Sequence, residues 1–121
     1  MAVKMTKIPK KDMDEIISRD VRCVYCDKKL IYPWDLKNRK DSATTEHFNY
    51  KKNIDSVGDC INKNESVSRV VGKCCGSCNS SRRDNKLTDW FEKDYCRKRE
   101  KPINIETVAQ VVRDYIEKYE K

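Results

Sequence analysis

Four of the seven cysteines stand in two pairs with the spacing of metal ligands. Cys23 and Cys26 form one C-x-x-C pair, and Cys75 and Cys78 form the second. Two intervening residues let both sulfurs of a pair reach one Zn²⁺ at ~2.3 Å, and two such pairs complete a tetrahedral site. Cys74 competes with Cys75 for one ligand position, and we choose Cys75 because its distance to Cys78 mirrors the first pair. The sequence therefore predicts a structural zinc site made of these two pairs.

The remaining cysteines and the apolar pattern exclude several protein classes. Cys60 and Cys96 have no partner at this spacing and are interpreted as small apolar residues. An odd number of cysteines in 121 residues argues against a secreted disulfide scaffold. No apolar stretch approaches the ~18–20 residues of a membrane span, and residues 1–11 lack the apolar region of a signal peptide. We therefore expect a cytoplasmic protein with reduced thiols and no membrane partner.

The charge balance favours a nucleic-acid partner. The chain has 27 Lys and Arg against 20 Asp and Glu, a net charge of +7. Such an excess attracts polyanions, although charge alone does not define a site. Hydrophobic residues make up only 37% of the chain and charged residues 39%, so the apolar core is lean for this length. A bound metal ion would supply the missing stabilisation.

An acid–histidine pair lies in the long insertion between the cysteine pairs. Glu46 directly precedes His47, the only histidine of the chain, and Asn79 directly follows Cys78. A neutral imidazole accepts a proton from water near pH 7, and carboxylate and amide oxygens suit Mg²⁺ or Mn²⁺. Successive strand residues point to opposite faces, so Glu46 and His47 are predicted to lie at a strand end or bulge. Asn79 is predicted to begin a helix, and a plain helix N-cap is its alternative role.

This ordered set of motifs resembles the HNH endonucleases, which have a ββα-metal active site. The resemblance runs from about residue 15 to 95, and its motifs read Cys23-Val24-Tyr25-Cys26, Ala43-Thr44-Thr45-Glu46-His47 and Cys75-Gly76-Ser77-Cys78-Asn79-Ser80-Ser81-Arg82. It implies that His47 is the general base and that Glu46 and Asn79 hold the catalytic Mg²⁺ or Mn²⁺. It further implies that Arg82 contacts phosphate and that DNA is hydrolysed to 5′-phosphate and 3′-hydroxyl products.

Three features depart from the HNH pattern. Glu46 stands where Asp is more usual, which lengthens the ligand by one methylene. The family's middle Asn falls on Val70, and Asn62 or Asn64 are the candidates to replace it. The loop after His47 is long and lacks the usual Gly-Gly turn, so residues 49–69 receive no functional assignment.

Apolar periodicity and turn residues predict the elements in the first half of the chain. A helix is predicted from Lys10 to Ser18, and short strands are predicted from Leu30 to Trp34 and from Ala43 to Phe48. Residues 51–69 show no periodicity and read as loop, and order returns at Val70.

Two helices are predicted in the second half. Leu87, Trp90, Phe91 and Tyr95 fall on one face of a helix that ends before Pro102, and we interpret them as core residues. A last helix begins at about Ile105, with Asn104 as its N-cap. Residues 102–121 carry three basic and four acidic groups, so we expect their apolar face to pack on the domain or on a second copy of the chain.

The sequence thus predicts a single α+β domain over residues 1–121. Its ββα-metal core spans about 19–95, stapled by the four-cysteine zinc site and flanked by N- and C-terminal helices, the latter over 102–121. Arg82, Arg83 and Lys86 are candidate DNA contacts, with an ordinary solvated face as the alternative. The rival functions are a non-catalytic zinc-ribbon module that binds nucleic acid and a zinc-stapled protein adaptor that uses the C-terminal helix.

Overall fold

A computed structural model describes residues 8–49 and 65–120. These residues form a mixed α+β fold with one two-stranded antiparallel sheet and five α-helices. The elements are α1 (Lys10–Arg19), β1 (Ala43–His47), β2 (Val71–Cys75), α2 (Gly76–Arg82), α3 (Leu87–Trp90), α4 (Asp94–Arg97) and α5 (Gln110–Tyr119). The predictions for Cys60, Asn62 and Asn64 lie outside the described residues.

The sheet pairs β1 with β2 in regular antiparallel register, from Ala43 opposite Cys75 to His47 opposite Val71. The strand predicted at 43–48 forms from Ala43 to His47, one residue shorter than expected. His47 is therefore at the strand end, whereas Glu46 lies within the regular register, opposite Gly72. Within β2, a Cβ on Gly72 would meet a Phe48 ring carbon at 2.8 Å, so the close approach of this ring requires glycine.

The strand predicted over residues 30–34 is not formed. Ile31 makes only an isolated bridge to Ser42. Pro33 has no N–H to continue a ladder, and a short 3₁₀ turn over Leu36–Asn38 follows it. The segment is therefore a loop that leads the chain back to the start of β1.

Helix α1 follows the sequence prediction to within one residue and is attached to the sheet at its C-terminal end. Asp20 Oδ2 accepts a hydrogen bond from the Lys73 amide at 2.9 Å. The Arg19 guanidinium donates to the Val71 carbonyl at 3.0 Å. Ile16 on the same helix is fully buried. These contacts hold α1 against β2.

The helix predicted around Trp90 is divided into α3 and α4, with a turn between them. Its apolar residues are core residues as expected, since Leu87, Trp90 and Phe91 are buried. The start of α3 is bonded to Glu120, which directly follows α5. The Glu120 carboxylate accepts hydrogen bonds from the amides of Leu87 and Thr88, both at 3.0 Å. A buried carboxylate thus satisfies the first amides of α3.

The last helix begins at Gln110, five residues after the predicted start. Asn104 Oδ1 accepts from the Glu106 amide at 2.9 Å, so Asn104 closes a local turn rather than capping the helix. The apolar face of α5 packs on its own domain, where Val112 and Ile116 are buried.

Aromatic side chains connect these elements in one core. The Tyr25 and Trp90 rings meet edge-on with centroids 5.0 Å apart, and Phe48 contacts Tyr115 of α5 at 5.4 Å. Cys96 is buried as expected. Across residues 8–49 and 65–120, every helix is too short or too polar to cross a membrane.

Candidate functional site

The sulfurs of the two cysteine pairs converge on one point. All four Sγ atoms of Cys23, Cys26, Cys75 and Cys78 lie within 4.8 Å of one another. Cys26 Sγ and Cys75 Sγ are 3.8 Å apart, which equals the edge of ~3.8 Å expected for a tetrahedron with metal–sulfur bonds of ~2.3 Å. The prediction of a four-cysteine cluster is confirmed, and so is the choice of Cys75 over Cys74.

Hydrogen-bond donors around the cluster suit bound thiolates. The Cys26 amide lies 3.4 Å from Cys23 Sγ, and the Cys78 amide lies 3.4 Å from Cys75 Sγ. The Tyr95 hydroxyl donates to Cys78 Sγ at 3.3 Å. Donors of this kind favour the charged form of a thiol, and four thiolates are a ligand set preferred by zinc. The residues therefore fit a metal ion of the zinc type.

The cluster joins a turn to the end of the sheet. Cys75 is the last residue of β2 and the N-cap of α2, where its sulfur accepts from the Cys78 amide. The turn that holds Cys23 and Cys26 is attached to β2 because the Val24 amide donates to the Lys73 carbonyl at 3.1 Å. A metal ion here would tie the N-terminal turn to the β2–α2 junction.

Cys74 is excluded from the cluster by the alternation of side chains along β2. Its Sγ lies 3.5 Å from Thr44 Oγ1, and the residue is fully buried. Burial raises the pKa of the Cys74 thiol well above its usual value, so it stays protonated at neutral pH.

Glu46 is buried rather than presented at the surface. Its side chain lies in the interior, where Oε2 accepts a hydrogen bond from Tyr25 Oη at 3.0 Å and lies 3.5 Å from Arg82 Nη1. Burial raises the pKa of Glu46 to about 7, although the Arg82 charge and the Tyr25 hydrogen bond oppose this shift. The carboxyl group therefore titrates near neutral pH.

Arg82 is fully buried and does not fit the predicted role in phosphate contact. Its Nε donates to the Asn85 carbonyl at 2.6 Å, Nη1 to the His47 carbonyl at 3.0 Å and Nη2 to the Phe48 carbonyl at 2.6 Å. Each guanidinium nitrogen is thus engaged inside the protein. The prediction is corrected accordingly: Arg82 holds the end of β1 and partly neutralises Glu46.

Asn79 is the fourth residue of α2 rather than its first, and Cys75 caps the helix in its place. Asn79 Nδ2 donates to Thr44 Oγ1 at 3.0 Å. Residues three apart share a helix face, which explains why Asn79 and Arg82 both contact β1. The structure thereby connects all three predicted catalytic residues through two adjoining elements, β1 and α2.

The other predicted DNA contacts lie just beyond α2. Arg83 is exposed with a positive φ of 52° at the end of the helix, and Lys86 is half-buried at the N-cap of α3. Their contact with DNA stays a prediction.

Two residues in contact with this site were missed by sequence reasoning. Thr44 lies two positions before Glu46, and the two-residue period of a strand could have identified it as a neighbour on the same face. Tyr25 carries no such signal, because its contact with Glu46 depends on how the first cysteine turn packs.

Comparisons with protein-family models, with curated proteins and with solved structures found no match to this chain. A functional assignment therefore depends on the residues and their geometry.

Proposed function

We propose that the protein is an HNH-type, metal-dependent endonuclease that hydrolyses phosphodiester bonds of DNA. The observation that carries the proposal is the direct bonding of β1 to α2 beside the cysteine cluster. Asn79 Nδ2 bonds Thr44 Oγ1, and Arg82 Nη1 bonds the His47 carbonyl, both at 3.0 Å. These bonds support a single site that contains Glu46, His47 and Asn79.

His47 is assigned the role of general base. It is half-buried at the last position of β1, and its backbone carbonyl is held by Arg82. A neutral imidazole can accept a proton from an attacking water near pH 7. The Arg82 contact fixes the backbone from which the imidazole projects.

Glu46 and Asn79 are assigned to hold the divalent ion. Tyr25 and Arg82 both contact Oε2 of Glu46, which leaves Oε1 as the ligand oxygen. The hydrogen bond from Asn79 Nδ2 to Thr44 orients the amide so that its Oδ1 is the remaining acceptor. Hard oxygen ligands suit Mg²⁺ or Mn²⁺, and such an ion, when bound, offsets negative charge on the reacting phosphate and leaving oxygen. The four-cysteine cluster is assigned to structural zinc.

Nicking of supercoiled plasmid DNA tests this proposal. Zinc-loaded protein is incubated with plasmid and Mg²⁺ or Mn²⁺, and nicked circles are measured by gel electrophoresis. His47→Ala is expected to lower the rate by about 100-fold or more, because a positioned general base contributes at least that factor. DNA ligase should reseal the nicks, since ligation requires a 5′-phosphate and a 3′-hydroxyl.

Matched asparagine variants separate catalysis from folding. Asn79→Ala is expected to lower the rate and raise the Mg²⁺ concentration needed for half-maximal activity. Asn104→Ala, in the turn before α5, should leave both unchanged. Zinc content and the melting temperature are compared for all variants. Nicking that persists in His47→Ala, or its absence from the wild type with either metal, would contradict the proposal.

One observation favours a second function, that of a non-catalytic zinc-stapled module that binds nucleic acid. Tyr25 and Arg82 already engage the buried Glu46 carboxylate, as they would in a purely structural cluster. This alternative predicts DNA binding with a steep salt dependence and no nicking with either metal.

A further inference from the structure

A groove of about 560 Å³ runs beside Asn79, one of the proposed catalytic residues. Asn79 and Thr44 line one part of it, and three residues from the loop before β1 line another: Trp34, Arg39 and Lys40. A second groove of about 440 Å³ shares Trp34 and Thr44 with the first. Trp34 therefore stands where two adjoining grooves meet.

The Trp34 side chain is exposed, although tryptophan is usually buried in proteins. It is 52% accessible, whereas Trp90 is completely buried in the core. An exposed indole beside basic groups provides a flat apolar face on which a nucleic-acid base can stack.

The positive charges of the groove are not neutralised by the acids nearest to them in sequence. Arg39 and Lys40 are exposed, and neither side chain is paired with any residue in 8–49 or 65–120. Asp35 accepts from Asn38 Nδ2 at 2.8 Å, and Asp41 pairs with Lys28 at 2.7 Å. The groove thus presents two cations that suit backbone phosphates.

The loop that carries these cations is fixed against α2. A Cβ on Gly76 would lie 1.9 Å from the Arg39 carbonyl oxygen, so only glycine permits this approach. The Ser77 amide also donates to the Lys40 carbonyl at 3.2 Å. The basic loop is therefore held next to the helix that carries Asn79.

We propose that Trp34, Arg39 and Lys40 form a binding site for single-stranded DNA, hereafter the Trp34 site. A base stacks on the Trp34 indole, and phosphates bind Arg39 and Lys40. In a duplex both faces of a base are covered by its neighbours, so stacking on Trp34 selects an unpaired strand. The inference rests on the proposed nuclease function, because the same groove leads the strand to Asn79.

Binding measured by fluorescence anisotropy tests the Trp34 site. The His47→Ala protein is titrated into a labelled single-stranded oligonucleotide and into the duplex of the same sequence, without added Mg²⁺ or Mn²⁺. The single strand is expected to bind more tightly. Trp34→Ala should weaken its binding by about tenfold, while Trp34→Phe, which keeps an aromatic face, restores most of the affinity.

Intrinsic fluorescence provides a direct signature of stacking. The chain has two tryptophans, and only Trp34 is accessible. Single-stranded DNA should quench the emission of the His47→Ala protein, and the quench should vanish in His47→Ala/Trp34→Phe. Melting temperatures confirm that the variants are folded.

Charge variants test the phosphate contacts. Arg39→Gln/Lys40→Gln should reduce the slope of log affinity against log salt concentration by about 1.4, since each phosphate contact to a single strand contributes about 0.7. Arg97→Gln/Lys101→Gln removes the same charge from residues outside both grooves. This control should retain more of the affinity and of the slope.

Two results would overturn the Trp34 site: duplex binding as tight as single-strand binding, or unchanged affinity and quenching after the Trp34 substitutions. Neither result bears on plasmid nicking, which tests the proposed function separately. Conversely, stacking on Trp34 in a protein that never nicks DNA would support the binding site and contradict the nuclease.

Discussion

The cysteine cluster and the Glu46–Arg82 contact both bring polar groups into the protein, but they neutralise them differently. The four sulfurs lie within 4.8 Å of one another and accept hydrogen bonds from neutral donors, namely backbone amides and the Tyr95 hydroxyl. Glu46, by contrast, lies 3.5 Å from the Arg82 guanidinium and accepts from Tyr25. The protein supplies a cation beside Glu46, whereas the cluster needs a metal ion.

This difference predicts that the two regions respond differently to metal ions. Four thiolates cannot converge without a central cation, so zinc binding and folding should be coupled. The Glu46 region is held together by the protein's own charges, so it should fold without added Mg²⁺ or Mn²⁺. Three substitutions test the comparison.

The largest effect is expected from Cys26→Ser. Zinc binding to such sites is worth about 10–16 kcal/mol, as much as the whole stability of a typical domain, about 5–15 kcal/mol. The variant should lose its zinc and its cooperative thermal unfolding, measured by metal analysis and circular dichroism. Cys74→Ala is the matched control and should keep about one zinc per chain. A folded Cys26→Ser protein with a full zinc content would contradict the coupling.

Arg82→Gln should have the next largest effect. It removes a buried charge partner of Glu46 and donors to the carbonyls of His47 and Phe48, which should lower the free energy of unfolding by about 3–5 kcal/mol. Arg83→Gln, at the exposed neighbouring position, should change it by less than about 0.5 kcal/mol. Urea denaturation of zinc-loaded protein measures both. Equal effects of the two substitutions would show that Arg82 is not the structural residue described above.

The smallest effect is expected in the pH dependence of stability. Because burial raises the pKa of Glu46 from its ordinary 4.5 to about 7, the folded state binds this proton more tightly than the unfolded state. The stability contribution is therefore present at low pH and is lost as pH rises from about 4.5 to about 7. Since a tenfold change in acidity is worth about 1.4 kcal/mol, the loss over this interval is about 3–4 kcal/mol.

Glu46→Gln isolates this contribution, because glutamine does not titrate. The free energy of unfolding of both proteins is measured without Mg²⁺ or Mn²⁺. Between pH 5.5 and pH 8, the wild type should lose stability relative to the variant. A difference that is constant over this range would mean that Glu46 ionises with an ordinary pKa. The test depends on how this difference in free energy of unfolding changes with pH, and not on its value at any one pH.

Local patterns predicted much of the fold. The β-branched run at 43–48 and the apolar face of residues 10–18 became β1 and α1, since each pattern matches the period of its element. The last helix was predicted too early because its apolar pattern continues to Ile105, whereas the Asn104 turn delays the start to Gln110. The pattern records which residues prefer burial and not where the backbone first becomes helical.

The predicted site residues show the same contrast between local patterns and long-range contacts. His47 is at a strand end and Cys75 is in the cluster because strand alternation and C-x-x-C spacing act over a few residues. Arg82 was expected to face phosphate, but its environment is set by β1, which is more than thirty positions away in the chain. Spacing within a motif could not reveal that contact.

The sequence by itself determined the four clustered cysteines, the strand that contains Glu46 and His47 and the apolar face that α5 buries, because each follows from spacing or from a local period. Only the tertiary structure decided that Glu46 and Arg82 are buried together, that Asn79 bonds Thr44 and that Trp34 remains exposed. Burial and pairing depend on which elements pack against each other. The free energy of that packing comes from contacts between residues that are far apart in the sequence, so a local pattern does not reveal it.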